Sequence, residues 1–370
     1  MSRGVEALLD LEALRHNLGV ARRMAPAAEL MAVVKAEAYG HGLERVAMEL
    51  AGRVELFGVA SLEDAKRLRA AGLRERIVLL SGVQDEADAE RAQALAAEQV
   101  VHDASQLSWF RRARGPRLPV WLKIDTGMNR LGFRPESVEE AWDVLRRSPA
   151  VSEIVWMTHL ASSDLVEDPS TPRQLSRFAA SIGERSGVRS VANSAAVLAW
   201  PETRSGIVRV GGMLYGLVVV PGRCGADYGL RPVMTLRARL IARRLARRGE
   251  RVGYGGHFLC PEDMPLGIAA VGYGDGYPRH LPSGAPVLVG DRLCALAGRV
   301  SMDLIAIDLR AAPEARVGET VTLWGPALPA ERVAEAAGTI AYELTCGITR
   351  RVRFVAERAS PAAERRHVPA

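Results

Sequence analysis

Short apolar runs alternate with amphipathic stretches through the first two thirds of the chain. The runs fall at 30–34, 56–60, 77–80, 99–101, 120–124, 154–158, 188–192 and 207–210, eight in all. Between them lie segments rich in Ala, Leu, Arg and Glu. The stretch 61–71 opens with Ser61 three residues before Asp64, an N-cap spacing, and a second stretch covers 85–98. Residues 5–9 form a further apolar segment. A helical pattern follows, with Asp10 as N-cap and Leu11, Leu14, Leu18 and Val20 near helical spacing. Strand–helix alternation argues for parallel pairing, and eight units suggest closure into a barrel. An open doubly wound sheet shares the same periodicity and is the alternative.

The texture changes near residue 230. Arg231-Pro232 breaks the chain, and short runs follow at 235–246, 266–273, 286–289, 293–300, 304–309 and 320–323, punctuated by Gly, Pro and Asp. Helical spacing returns only at 329–337. The expected fold is therefore α/β: an N-terminal (β/α)8 TIM-like barrel over 10–230, then a mostly β domain over 231–370. Residues 1–9 are a candidate addition to the β domain, and 356–370 read as a polar, frayed tail.

Composition narrows the function classes. Apolar residues make up 48% and charged residues 25% of the 370, as in a soluble globular protein. No apolar run is long enough to span a bilayer, and the first residues lack a signal-peptide pattern, so a cytoplasmic protein with no membrane partner is expected. The four cysteines are widely spaced, which fits reduced thiols better than a disulfide framework or a metal site. A net charge of +6 raises the question of nucleic acid. The arginines are scattered among acids and only 5% of residues are aromatic, so no nucleic-acid partner is expected.

The ends of the eight runs carry the chemistry. They bring Lys35, Ser61, Ser81, His102, Lys123 with Asp125, His159, Asn193 with Ser194, and Arg209 with Gly211. Barrel enzymes build their sites at the C-terminal ends of strands. Lys35 stands out because the chain holds three lysines among 49 basic residues. Arginine carries the same charge but cannot be deprotonated or form an imine; a desolvated lysine does both and suits Schiff-base chemistry with a carbonyl cofactor. Taken alone, a snorkelling lysine at a strand end has the same appearance.

The stretch Ala32-Val-Val-Lys-Ala-Glu-Ala-Tyr-Gly-His-Gly42 resembles the pyridoxal phosphate attachment signature of alanine racemases. Further motifs follow in family order. They include Lys123-Ile-Asp-Thr-Gly-Met-Asn-Arg-Leu-Gly-Phe133, Thr158-His159, Ala192-Asn-Ser-Ala-Ala196 and Arg209-Val-Gly-Gly-Met-Leu-Tyr-Gly216. Val252-Gly-Tyr-Gly-Gly256, Gly272-Tyr-Gly-Asp-Gly-Tyr-Pro-Arg279, Gly298-Arg-Val-Ser-Met-Asp303 and Tyr342-Glu-Leu-Thr-Cys346 complete a set spanning almost the whole chain.

The resemblance implies a racemase of L- and D-alanine that uses pyridoxal 5'-phosphate (PLP), supplies D-alanine for peptidoglycan, and works as a homodimer with shared active sites. By the same resemblance Lys35 binds the cofactor, and Tyr39, Ser194 and Tyr342 hold its phosphate with the N–H groups of Gly211 and Gly212. Arg209 faces the pyridine nitrogen. Lys35 and the partner subunit's copy of Tyr254 are the two catalytic bases, with His159 and Arg209 as the cations that lower the tyrosine pKa. Arg130 reaches the cofactor's phenolic oxygen and the substrate carboxylate, and Met302, again from the partner, offers its N–H to that carboxylate. The lysine matching Lys123 is commonly carbamylated; a buried lysine paired with Asp125 is the plainer reading. Asp303 reads as structural. Tyr273 and Tyr342 are expected to narrow the entrance.

Three positions depart from the family pattern: Glu37 where aspartate is usual, Val210 where proline is common, and Gly212 where a bulkier apolar residue is frequent. None removes a functional group. The competing readings are a PLP racemase of broader range, acting on serine or basic amino acids, a decarboxylase of the same barrel class, and a non-catalytic PLP carrier. Arg209 speaks against the decarboxylase, which needs an acidic partner for the ring nitrogen. The β domain with Tyr254 and Met302 speaks against the carrier.

Overall fold

The computed structural model describes residues 4–112 and 116–357. They divide into two compact units, one of residues 17–230 and the other of residues 1–16 with 231–370. Among the described residues no helix is long and apolar enough to cross a membrane.

In the first unit every expected apolar run is a strand. These are β2 (Glu29–Val33), β3 (Leu56–Val59), β4 (Arg76–Leu79), β5 (Ala97–Val101), β6 (Leu118–Lys123), β7 (Val151–Met157), β8 (Arg189–Ser190) and β9 (Ile207–Val210), numbered after β1 (Glu6–Asp10) of the second unit. All pair in parallel, in the order β8-β7-β6-β5-β4-β3-β2-β9. Helices cover the connections, so both faces of most strands are apolar. The ring closes between β8 and β9 without a full ladder. Arg209 N–H donates to Ala192 O at 2.9 Å, and Ser190 Oγ donates to Ile207 O at 2.8 Å. The interior is packed with Met31, Val33, Leu56, Val78, Val100, Trp121, Val155, Met157 and Ile207, as expected of a filled barrel.

One expected helix is shorter than its amphipathic pattern suggested. The stretch 85–98 is helical only over Glu86–Ala94, and Ala96 turns the chain with a φ of 49°. β5 then starts at Ala97 and takes Glu98 inside the fold. The polarity of Glu98 hid the first two residues of this strand, whose expected run was 99–101; the charge of Glu98 is met by specific partners. Arg76 Nε donates to one carboxylate oxygen at 2.6 Å, and the fully buried Trp121 donates its indole N–H to the other at 2.7 Å.

The second unit holds β10 (Met234–Ala246), β11 (Arg251–Val252), β12 (Phe258–Leu259), β13 (Met264–Ala269), β14 (Pro286–Val289), β15 (Arg292–Leu296), β16 (Ile305–Asp308), β17 (Thr320–Trp324) and β18 (Arg353–Glu357). The long β10 pairs with both β13 and β17, so β10-β13-β16-β15-β14-β17 closes on itself and leaves those edges paired. β1 runs antiparallel to β10 and parallel to β18. The expected frayed tail 356–370 is thus partly wrong: Ala356 and Glu357 finish β18, held in register opposite Leu9 and Asp10. The remainder of that tail lies outside the described residues.

Removing the Glu98 side chain leaves the buried Trp121 N–H without its acceptor and takes from Arg76 its nearest carboxylate, with Glu29 and Glu153 still beside it. We expect Glu98→Ala to lower barrel stability by about 3 kcal/mol, read in denaturant unfolding, and the Arg76→Met/Glu98→Leu pair to cost less than the single change.

Candidate functional site

The turn after β2 is unusual for its sequence. Ala-Glu-Ala-Tyr is a run of good right-handed helix formers, yet Ala36, Glu37, Ala38 and Tyr39 all have φ near +54°. A left-handed residue with a Cβ costs about 1–2 kcal/mol, so four in sequence need support from their surroundings. The turn leaves Lys35 exposed at the barrel mouth and swings Tyr39 back over the end of β9. Glu37 faces outward, where Arg67 binds it along with Glu44. The longer glutamate thus has a partner of its own.

The Tyr39 hydroxyl lies against Gly211. A Cβ on Gly211 would stand 2.4 Å from the Tyr39 oxygen, so only glycine fits. Ser194 begins a helix, Ser194–Ala199, capped by Asn193, and its Oγ accepts from Gly211 N–H at 2.8 Å and Met213 N–H at 3.4 Å. Gly212 N–H donates to nothing among the described residues. Two hydroxyls and a loop of N–H groups therefore meet around one glycine, a donor set suited to a phosphate. One detail was not anticipated: Gly211 N–H is already engaged by Ser194.

Arg209 sits 4% exposed between β7 and β8. Nη1 donates to Ser190 O at 2.8 Å and Ser190 Oγ at 2.7 Å; Nη2 donates to Thr158 O at 2.8 Å and Val191 O at 3.0 Å. Nε has no protein partner, and no carboxylate pairs with the group, among the described residues. Burial lowers its pKa to about 10, so it remains a cation at neutral pH.

That cation sets the state of its neighbours. Nη2 is also 3.3 Å from His159 Nδ1. A guanidinium only donates, so Nδ1 is the acceptor and the ring proton is on Nε2. Burial, then Arg209, Lys123, Arg130 and Lys35, push the His159 pKa down to about 2. His159 is therefore neutral, and of the two expected cations only Arg209 carries charge. Lys123 is 5% exposed, and burial, followed by Arg209, Arg130 and Lys35, lowers its pKa to about 8. The alternative pairing with Asp125 does not form: Asp125 Oδ1 instead accepts from Gly127 N–H at 2.9 Å and Asn129 N–H at 3.0 Å. This folds the 125–133 loop back onto β6, with Phe133 N–H on Lys123 O at 2.8 Å, and presents Arg130 to solvent.

A polar network not foreseen from sequence fixes the neighbouring strand ends. Gln174 Nε2 donates to Thr126 Oγ1 at 3.1 Å and His159 O at 3.0 Å, and Thr126 and Thr158 share a hydrogen bond of 2.8 Å. A polar glutamine within a buried helix face was the available signal.

In the second unit Tyr254 follows β11 in a tight turn flanked by Gly253 and Gly255, both with φ near +71°, and is 70% exposed. Met302 is 52% exposed. Its loop is tied down by Gly274 N–H on Met302 O at 2.9 Å, and Arg351 links the adjacent Asp303 to buried Asp275. Asp303 is thus a structural anchor. Tyr342 lies half-buried on the helix Ala341–Cys346.

Known family models match both parts of the chain. Residues 9–219 match the model of the alanine racemase N-terminal domain, and 233–356 that of the C-terminal domain. The chain belongs to the alanine racemase family. It is 51% identical over 349 residues to the alanine racemase of Nitrosococcus oceani, covering 94% of this chain and 98% of that one. Identity to the Halorhodospira halophila alanine racemase is 48%, over 95% and 98% of the two chains. The crystal structure of the biosynthetic alanine racemase from Pseudomonas aeruginosa superposes with a TM-score of 0.94 at 42% identity, covering 97% of this chain and all of that one. The Acinetobacter baumannii alanine racemase structure gives a TM-score of 0.90 at 34% identity, over 96% and 99% of the chains. The barrel with a following β domain is thus the fold of a family of PLP enzymes.

The buried lysine gives a pH signature. Its folded pKa, about 8, lies below its ordinary value near 10.5. The unfolded chain therefore holds the extra proton between these values, and folding becomes more favourable as pH rises through this window. In the cofactor-free protein Lys123 should contribute a gain of up to about 3 kcal/mol between pH 8 and 10.5. Lys123→Met should lack this gain in denaturant unfolding measured across that range.

Proposed function

We infer that this member of the alanine racemase family interconverts L-alanine and D-alanine with PLP as cofactor, using two proton-carrying groups on opposite faces of the substrate Cα. Alanine racemisation stands on the family membership and on relatives up to half identical. The mechanism rests most on Arg209, a buried cation with no carboxylate partner where the family resemblance puts the cofactor's ring nitrogen.

The residues present fit the cofactor. Lys35 is the amine that would bind its aldehyde carbon, while Tyr39, Ser194, Gly211 and Gly212 would hold its phosphate, joined by Tyr342. Ser194 Oγ, an acceptor from Gly211 N–H here, can also donate, so both groups could serve the anion. When bound, the cofactor draws off the negative charge that develops at Cα. Arg209 already carries its full charge and cannot accept a proton. It thereby keeps the nitrogen beside it unprotonated and the charge withdrawal modest, which favours rapid return of a proton over side reactions.

Lys35 moves the proton of the D-enantiomer. Tyr254, supplied by a second subunit, moves that of the L-enantiomer. A phenol near its ordinary pKa of about 10 is a poor base at neutral pH. His159, neutral with its proton on Nε2, has the donor needed to stabilise the phenolate, and Arg209 behind it supplies the positive charge. Arg130 and the partner's Met302 N–H orient the substrate carboxylate. Lys123 takes up carbon dioxide as a carbamate: a pKa near 8 leaves a fraction of free amine, whose nitrogen bonds to the carbon of CO2 and loses one proton to solvent, and the resulting anion would pair with Arg130. A homodimer accounts for the exposure of Tyr254 and Met302, and Tyr273 helps narrow the entrance. The D-alanine made supports peptidoglycan synthesis in the cytoplasm.

Lys35→Ala should abolish both the cofactor's protein-bound absorbance and turnover; retained turnover refutes the lysine's role. Tyr254→Phe should slow α-deuterium exchange from L-alanine by more than about tenfold relative to exchange from D-alanine. Equal slowing of the two would refute the face assignment.

A further inference from the structure

His41 takes no part in the scheme above, yet it is wholly buried beside the left-handed turn. Its Nδ1 lies 3.0 Å from Ala38 O and 2.9 Å from Tyr39 O. Both oxygens only accept, so Nδ1 carries the proton and clamps the last two residues of the turn. Nε2 is buried with no hydrogen-bond partner. A buried bare nitrogen is a cost, so the donor on the other side of the ring is what makes histidine useful here.

The ring is also part of a stack. Tyr215 stacks on His41 with centroids 4.6 Å apart and on Tyr39 with centroids 4.9 Å apart. The Tyr215 hydroxyl donates to Val33 O at 3.1 Å, which ties the stack to the end of β2. Backbone bonds from Ala38 N–H to Val34 O and from Gly42 N–H to Glu37 O, each 2.8 Å, complete the turn. What this assembly holds in place is the Tyr39 hydroxyl, set against Gly211 with no room for a Cβ between them.

We propose that His41 is a positioning residue for cofactor binding: its Nδ1–H clamps the carbonyls of Ala38 and Tyr39 in the left-handed turn and thereby holds the Tyr39 hydroxyl at the phosphate cradle. This rests on the reading of Tyr39 and Gly211 as that cradle. Burial also keeps the ring neutral, with a pKa lowered to about 4, so the clamp is insensitive to physiological pH. Asparagine places an amide nitrogen close to the Nδ1 position, whereas phenylalanine keeps the stacked ring and removes the donor.

The test is the affinity of cofactor-free protein for PLP and for pyridoxal, which lacks the phosphate, by absorbance titration. His41→Phe should weaken PLP at least about tenfold, the worth of one good hydrogen bond, and pyridoxal by less than about threefold. His41→Asn should stay within about threefold of wild type for both. In a Tyr39→Phe background His41→Phe should have little further effect, since both changes act through one hydroxyl. Equal weakening of the two ligands, additive losses with Tyr39→Phe, or an Asn variant no better than Phe overturns the proposal. If His41→Phe yields no folded protein, 15N NMR of histidine-labelled wild type decides: a neutral ring with its proton on Nδ1 is expected, and the Nε2–H tautomer overturns the clamp. Unchanged PLP affinity in Tyr39→Phe alone refutes the cradle reading instead.

Discussion

A guanidinium buried without a counter-ion is the constraint on which this site depends. Desolvating a cation costs several kcal/mol unless its hydrogen-bonding capacity is met. Arg209 meets it with neutral groups: Ser190 through its carbonyl and hydroxyl, and the carbonyls of Thr158 and Val191. Because no carboxylate among the described residues absorbs the charge, it reaches outward. It fixes the His159 tautomer through a donated hydrogen bond, and it helps drive Lys123 toward its free amine. The same residue closes the barrel through its backbone N–H to Ala192. Fold closure and site electrostatics thus meet in one residue.

The proposed phosphate cradle follows a different principle, the close approach of backbone. Gly211 is open to Tyr39 only because it has no Cβ, and Tyr39 arrives there only because the turn after Lys35 winds left-handed. The backbone strain of that turn is offset by the stack of His41, Tyr215 and Tyr39 and by the bonds onto Val34 and Glu37. Lys35 and the Tyr39 hydroxyl are therefore set by the same few residues.

Much of this was legible in the sequence. All eight barrel strands announced themselves as short apolar runs, since parallel strands covered by helices are apolar on both faces. Of the polar residues ending those runs, Lys123, His159 and Arg209 act on one another electrostatically, and Ser194 bonds to Gly211. What stayed hidden were interactions that contradict local propensity or depend on distant partners. Ala36–Tyr39 reads as right-handed helix, and only Gly40 and Gly42 beyond it hint at another conformation. Glu98 disguised the start of β5 because its partners, Arg76 and Trp121, come from other strands. The charge of His159 could not be read at all: a histidine motif looks the same whether the ring accepts a hydrogen bond from an arginine or binds a proton. Ala356 and Glu357 read as tail because what orders them is their register with Leu9 and Asp10, far away in sequence.

The central claim is proton transfer at Cα from both faces, and incubation of PLP-loaded protein with L-alanine in heavy water tests it most directly. Chiral chromatography and NMR of the product should give D-alanine carrying deuterium at Cα. Deuterium exchange into L-alanine without any D-alanine would mean that only one face is served, and it would contradict the account.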